Sequence, residues 1–277
     1  MADIRFVQAD TLKEKPADVS KVGFGRVFTD YMFEMDYNPE EGWHDARIVP
    51  YQDVPLSPAN ATLHYGQAIF EGCKAYRYEG GKAVVFRAKD HIARLNRSAK
   101  ILDIPEVDEK LVYDALMKLI DLEKDWIPDG PGQSLYIRPF IFSTDPYLGV
   151  SVGQYYKMMI ILSPVGAYYA NGFAPVKIMV EDTYVRAPKG GLGAAKTPAN
   201  YAASLHGGLI AHEKGYDQTL WTDGIEHKYI GEVGSMNILF KIDGKVVTPE
   251  LDGTILDGIT RRTVLRVCKE WGIPTEE

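Results

Sequence analysis

Cysteine is nearly absent: the chain has two in 277 residues, Cys73 and Cys268. They form no CxxC pair and have no ligand set nearby. That excludes a disulfide framework and a cysteine-rich metal centre, and fits a reducing, cytoplasmic location. Long apolar runs are missing as well; none approaches the ~18 residues of a membrane helix, so no membrane is expected among the partners. The opening stretch "MADIRFVQADTLKEK" is charged and lacks an apolar segment, so we expect no signal peptide. Positive charge is not in excess. Lys+Arg total 31 against 38 Asp+Glu, a net charge of −7, which argues against a nucleic-acid partner while leaving room for a local basic pocket that holds a small anion. No GxGxxG follows a strand-like run and no GxxxxGK[ST] occurs, so the usual nucleotide fingerprints are missing. Internal repeats and low-complexity segments are also lacking.

What is present is the composition of a globular chain, 45% hydrophobic and 25% charged, with a length that points to two domains rather than one. Seventeen tyrosines suit pockets that are apolar along their walls and polar at one tip. "CKAYRYEGGKAVVFRA" alternates on both sides of Glu79-Gly80-Gly81 and predicts a β-hairpin. "KDHIARLNRSAKILDI" places Ile92, Leu95, Ala99 and Leu102 at helical spacing. "DEKLVYDALMKLIDLEKD" predicts a second amphipathic helix, and "SLYIRPFIFS" and "YYKMMIILSPV" two strands. "GAYYANGFAP", residues 166–175, mixes Gly, Asn and Pro between apolar runs and reads as a linker. Beyond it come a strand in "VKIMVED", a helix in "PANYAASLHGGLIAHEKGY" and a strand in "QTLWTD". "HKYIGEVGSMNILFKIDGKVVTP" adds strands with a hairpin at Asp243-Gly244, and "GITRRTVLRVCKEWG" a last helix. Strands and helices do not alternate strictly, so the class is α+β rather than a Rossmann fold.

The stretch "GGLGAAKTPANYAASL" sets Lys196 after a run with almost no side-chain bulk and just before Thr197-Pro198, a helix-start signal. Taken alone, the commoner reading is a solvated lysine in a glycine-rich loop. The chemical reading is an amine that forms a Schiff base with a carbonyl, as in enzymes of pyridoxal 5′-phosphate (PLP). That cofactor needs an anion site and a partner for its ring nitrogen. Asp257-Gly258 followed by Ile259 and Thr260 opens a helix whose N–H groups can cradle a phosphate, although an ordinary turn and cap is the commoner meaning. Arg94 lies off the apolar stripe of its helix and is either solvated or reaching for an anion. Glu232 stands in an otherwise apolar strand-like run, so it must lie at an edge or have a cationic partner. Ser235 and Asn237 follow closely as hydrogen-bonding groups.

Together, "HYGQAIFEGCKAYR", "FRAKDHIARLNRSAK", "LYIRPFIF", "GGLGAAKTPANYAASL", "GEVGSMNILF" and "LDGTILDGITRRTVL" closely resemble branched-chain amino-acid aminotransferase, a fold-type IV PLP enzyme. The resemblance runs from about residue 22 to 272 with the motifs in the family's order. It implies an α+β fold in which each of two domains is a mixed, barrel-like β-sheet core with flanking helices. Residues 1–165 would form the smaller N-terminal domain, 166–175 the linker, and 176–277 the PLP-binding domain. By the resemblance Lys196 is the Schiff-base lysine and the catalytic base. Glu232 pairs with the pyridine nitrogen, Tyr201 contacts the ring oxygen, and Ser235 stands where some members have threonine. Arg94, Ile259 and Thr260 match phosphate-binding positions. Phe24, Tyr65, Tyr136, Arg138 and Tyr168 match the substrate side. The implied reaction is ping-pong transamination of Leu, Ile and Val with 2-oxoglutarate, in a homodimer that supplies part of each site across its interface. Family members extend well beyond "GIPTEE", with a further phosphate-binding hydroxyl and a turn for the substrate carboxylate, so the PLP domain is expected to be incomplete here. Within the fold type, D-amino-acid aminotransferase and aminodeoxychorismate lyase are the alternatives; "FEGCKAYR" and "GAAKTPANY" favour the branched-chain member. A non-catalytic relative is the other alternative, and retention of Lys196, Glu232 and Arg94 together speaks against it.

Overall fold

Alternation of apolar and polar residues decides which face of each strand is buried, and here it builds one large sheet followed by two small ones. A computed structural model describes residues 4–167 and 174–277. The chain separates into two compact units, divided between Phe173 and Ala174. Most of the 166–175 stretch lies outside the described residues.

The first unit runs β1 (Arg5–Phe6), β2 (Tyr31–Asn38), β3 (Gly42–Pro50), α1 (Ala61–Tyr65), β4 (Ala68–Phe70), β5 (Cys73–Arg77), β6 (Ala83–Val85), α2 (Ala88–Ile101), α3 (Glu109–Leu122), β7 (Ser134–Ser143) and β8 (Tyr156–Val165). Its eight strands form one sheet in the order β1-β3-β2-β8-β7-β5-β6, with β4 also on β7. The predicted hairpin is β5–β6, turned at residues 79–81. Along β7 the pleat sends Leu135, Ile137 and Ile141 into one core with Ile92, Leu95 and Ala99 of α2 and Val112, Leu116 and Leu119 of α3. The intervening residues, Tyr136, Arg138, Phe140 and Phe142, point to the opposite face. There a smaller cluster of Met32, Val49, Ala68, Phe142 and Met159 packs with Phe140 and Ile161.

The second unit runs β9 (Ile178–Glu181), α4 (Pro198–Glu213), β10 (Gln218–Thr222), β11 (Ile230–Val233), β12 (Phe240–Ile242), β13 (Lys245–Val247), α5 (Ile259–Glu270) and β14 (Thr275–Glu276). Two three-stranded sheets result, β11-β10-β9 and β12-β13-β14. The predicted turn at Asp243-Gly244 joins β12 to β13 with φ of 47° and 80°, the left-handed pair that a two-residue hairpin demands. Helix α4 lies on β10, and at Gly207 any Cβ would press into the Trp221 ring.

Candidate cofactor and substrate site

Close backbone approach shapes the stretch that carries Lys196. Residues 189–195 turn repeatedly, and Gly190 has φ +79°, a conformation open to glycine. At Gly193 a Cβ would collide with the backbone of Thr254, so only glycine lets the loop lie against that segment. Asn200, in the first turn of α4, donates from Nδ2 to the carbonyls of Leu192 (2.8 Å) and Ala195 (2.9 Å), which staples the loop to the helix. Thr197 takes the N-cap position in extended conformation and Pro198 begins α4, as predicted. Lys196 therefore leaves the loop directly ahead of a helix, half-buried, with its Nζ donating to the Tyr201 hydroxyl at 2.5 Å. The solvated-lysine reading does not describe it.

Glu232 lies on β11, the edge strand of its sheet, and is 2% exposed. Its Oε1 accepts from Asn237 Nδ2 (2.8 Å) and from the Leu256 N–H (2.9 Å). Its Oε2 faces Arg186 Nε at 2.9 Å. A buried carboxylate needs such compensation. The cation was not visible in the sequence, because Arg186 lies far upstream in a loop with no pattern linking it to Glu232. Arg186 also donates from Nη1 to the Thr254 carbonyl (2.8 Å). Asn237 Nδ2 reaches the Leu256 carbonyl at 2.9 Å, and a Cβ on Gly258 would collide with Asn237 Oδ1. The short segment from Thr254 to Gly258 is thus a common wall: Gly193 and Arg186 rest on its start, Glu232 on its middle, Asn237 on its end. It runs directly into α5, whose cap residue Gly258 has no side chain and whose first residue Ile259 is buried, with Thr260 exposed beside it. Ser235 is exposed in the turn after β11.

In the first unit Arg94 is buried rather than solvated. It is 5% exposed, and its Nε and Nη2 donate to the two oxygens of Glu71 at 2.6 and 2.9 Å. On the opposite sheet face Arg138 donates from Nη2 to the Tyr136 hydroxyl (3.0 Å) and stacks 4.4 Å over Phe70, while Phe24 meets Tyr136 edge-on at 4.8 Å. Gly72 makes room for the Tyr136 hydroxyl, which any Cβ there would strike. Arg138 Nε is buried and has no hydrogen-bond partner among the described residues. Tyr65 turns elsewhere and donates to the Leu148 carbonyl. Tyr168 lies outside the described residues.

This donor set fits PLP. There is an amine at a helix start, a carboxylate held by a cation and two further donors, and two glycines that keep side chains off the wall between them. A family model described as amino-transferase class IV matches residues 68–277. Branched-chain-amino-acid aminotransferase 2 of Bacillus subtilis is 54% identical over 274 residues, covering 99% of this chain and 75% of the relative. Among solved structures, Escherichia coli branched-chain amino acid aminotransferase superposes with a TM-score of 0.75 at 32% identity, over 90% of this chain and 77% of that one. The T.th. branched-chain amino acid aminotransferase, solved with pyridoxamine 5′-phosphate, gives a TM-score of 0.70 at 26% identity, covering 87% and 75%. With a family model matched over most of its length and relatives more than half identical, the chain belongs to the class IV aminotransferases, PLP-dependent enzymes of fold type IV.

Proposed function

We propose that the chain transfers the amino group of the branched-chain L-amino acids Leu, Ile and Val to 2-oxoglutarate, releasing branched 2-oxo acids and L-glutamate. The observation that carries this reading is Lys196 Nζ on the Tyr201 hydroxyl, at the end of a loop resting on the same segment that holds Glu232. PLP, when bound, supplies an electron sink for the charge that develops at the substrate Cα. Lys196 Nζ would be the attachment point and would also serve as the base that takes up the Cα proton. Tyr201 holds that amine through its hydroxyl and would contact the ring oxygen. Glu232, held by Arg186, Asn237 and the Leu256 N–H, would accept from the ring nitrogen. Ser235 and the N–H groups of Ile259 and Thr260 serve the phosphate, to which Arg94 is also assigned.

Phe24, Tyr136 and Phe70 supply apolar walls suited to branched side chains. The Nε–H of Arg138, without a partner among the described residues, supports a carboxylate-binding role there, and Tyr65 and Tyr168 are assigned to the same side. The reading includes a homodimer, a cytoplasmic location, and a division into 1–165, a 166–175 linker and 176–277. Among the described residues no helix is long and apolar enough to cross a membrane.

Borohydride reduction followed by peptide mapping should find the cofactor on Lys196, and Lys196→Ala should abolish turnover. An adduct on Lys189 would sink the assignment. Turnover of L-leucine but not D-alanine, each with 2-oxoglutarate, separates this reading from the D-specific relatives.

A further inference from the structure

Arg94 reaches its position already engaged. Glu71, which is 0% exposed, sits between β4 and β5, and its own N–H donates to the Pro139 carbonyl at 2.7 Å. On its far side Gly72 lies beneath the Tyr136 ring. The carboxylate is therefore fixed at both ends of its backbone. It accepts Arg94 Nε and Nη2 at 2.6 and 2.9 Å, His91 Nδ1 at 2.7 Å and the Gly72 N–H at 3.2 Å. His91 and Arg94 are three residues apart on α2 and so share one face. Burial alone would push the Glu71 carboxyl up, but the hydrogen bonds from His91 and Arg94 outweigh it and hold the group at about 2.

From this arrangement we infer that Glu71 is the positioning residue for the cofactor phosphate: its two-point contact sets the plane of the Arg94 guanidinium. The inference rests on the assignment of Arg94 to the phosphate made above. A guanidinium carries its N–H groups in a rigid planar fork, and the two-point contact with Glu71 fixes the plane of that fork. The side-chain entropy of Arg94 is then lost on folding rather than on binding. On that assignment a buried carboxylate paired with Arg94 would also oppose the phosphate electrostatically. Orientation and charge thus give opposite signs when Glu71 is changed, which makes the idea decidable.

The experiment is equilibrium titration with PLP and with pyridoxal, which lacks the phosphate, followed by absorbance and paired with thermal unfolding of each variant. Glu71→Gln is expected to raise the Kd for PLP about tenfold, the size of a lost charge-assisted hydrogen bond, and to leave the Kd for pyridoxal close to the parent's. Unchanged or tighter PLP binding in that variant overturns the inference. Glu71→Asp keeps the charge but withdraws it by one methylene, and a loss of PLP affinity there as well is expected. Full retention would mean that charge, not position, matters, and would also overturn it. Should Glu71→Gln fail to fold, the Asp variant carries the test. In an Arg94→Ala background Glu71→Gln should no longer alter the preference for PLP over pyridoxal; an equal further loss would reduce Glu71 to a fold-maintaining residue. If Arg94→Ala alone leaves that preference intact, the phosphate assignment of Arg94 has failed instead, and the two failures are distinguishable.

Discussion

Glu232 accepts two hydrogen bonds on one oxygen and faces Arg186 with the other, so Glu232→Gln nearly keeps the shape while placing an amide where a guanidinium needs an acceptor. On the proposed pairing, the charge removed is the ionic partner of the ring nitrogen. We expect kcat to fall on the order of a hundredfold, a loss of about 3 kcal/mol. Parent-like kcat would mean that the acid has no part in the chemistry. Gly193 is the second telling residue. A methyl group there meets backbone, which cannot swing aside, so Gly193→Ala should cost about 1–3 kcal/mol of stability in thermal unfolding. An unchanged melting temperature would show that the lysine loop is free to lift off Thr254.

At the scale of elements, Glu123 ends α3 and accepts the N–H of Tyr31, the first residue of β2, tying helix to sheet. Burial, with Asp30 nearby, pushes its carboxyl up to about 7. Unfolded, such a group titrates near 4.3, so between about pH 4 and 7 the folded chain binds more protons. Its stabilising contribution is full below that window and lost as pH rises through 7. Glu123→Gln keeps an acceptor for Tyr31 and removes the titration. The gap between melting temperatures at pH 5 and pH 8 should therefore narrow in the variant; an equal gap would place the pH dependence elsewhere. Helices α2, α3, α4 and α5 and the two hairpin turns were legible because their apolar spacing, caps and turn residues are local signals. The β2–β3 pair was not. Glu34 and Asp36 make β2 look like a solvated loop, and the reason they are tolerated is found on other strands: Arg47 binds both at 2.7 and 2.8 Å, and Lys157 binds Asp36 at 2.6 Å. The proposed site divides in the same way. Lys196, Tyr201 and Glu232 stood out by motif, whereas Glu71 and Arg186 matter through partners distant in sequence.

For the whole molecule, the two units differ in how much structure protects them: one eight-stranded sheet backed by two helices, against two sheets of three strands. The scarcity of cysteine becomes useful here. Cys73 is buried in the first unit and Cys268 in the second, and burial pushes the Cys73 thiol up to about 12. The thiolate is the species that attacks a thiol reagent, so neither residue should be modified until its surroundings open. The native chain thus carries a separate chemical clock in each unit, read without any substitution. Labelling across mild denaturant, with mass spectrometry to say which cysteine has reacted, should show Cys268 modified ahead of Cys73. The reverse order would place the weaker structure in the unit with the larger sheet.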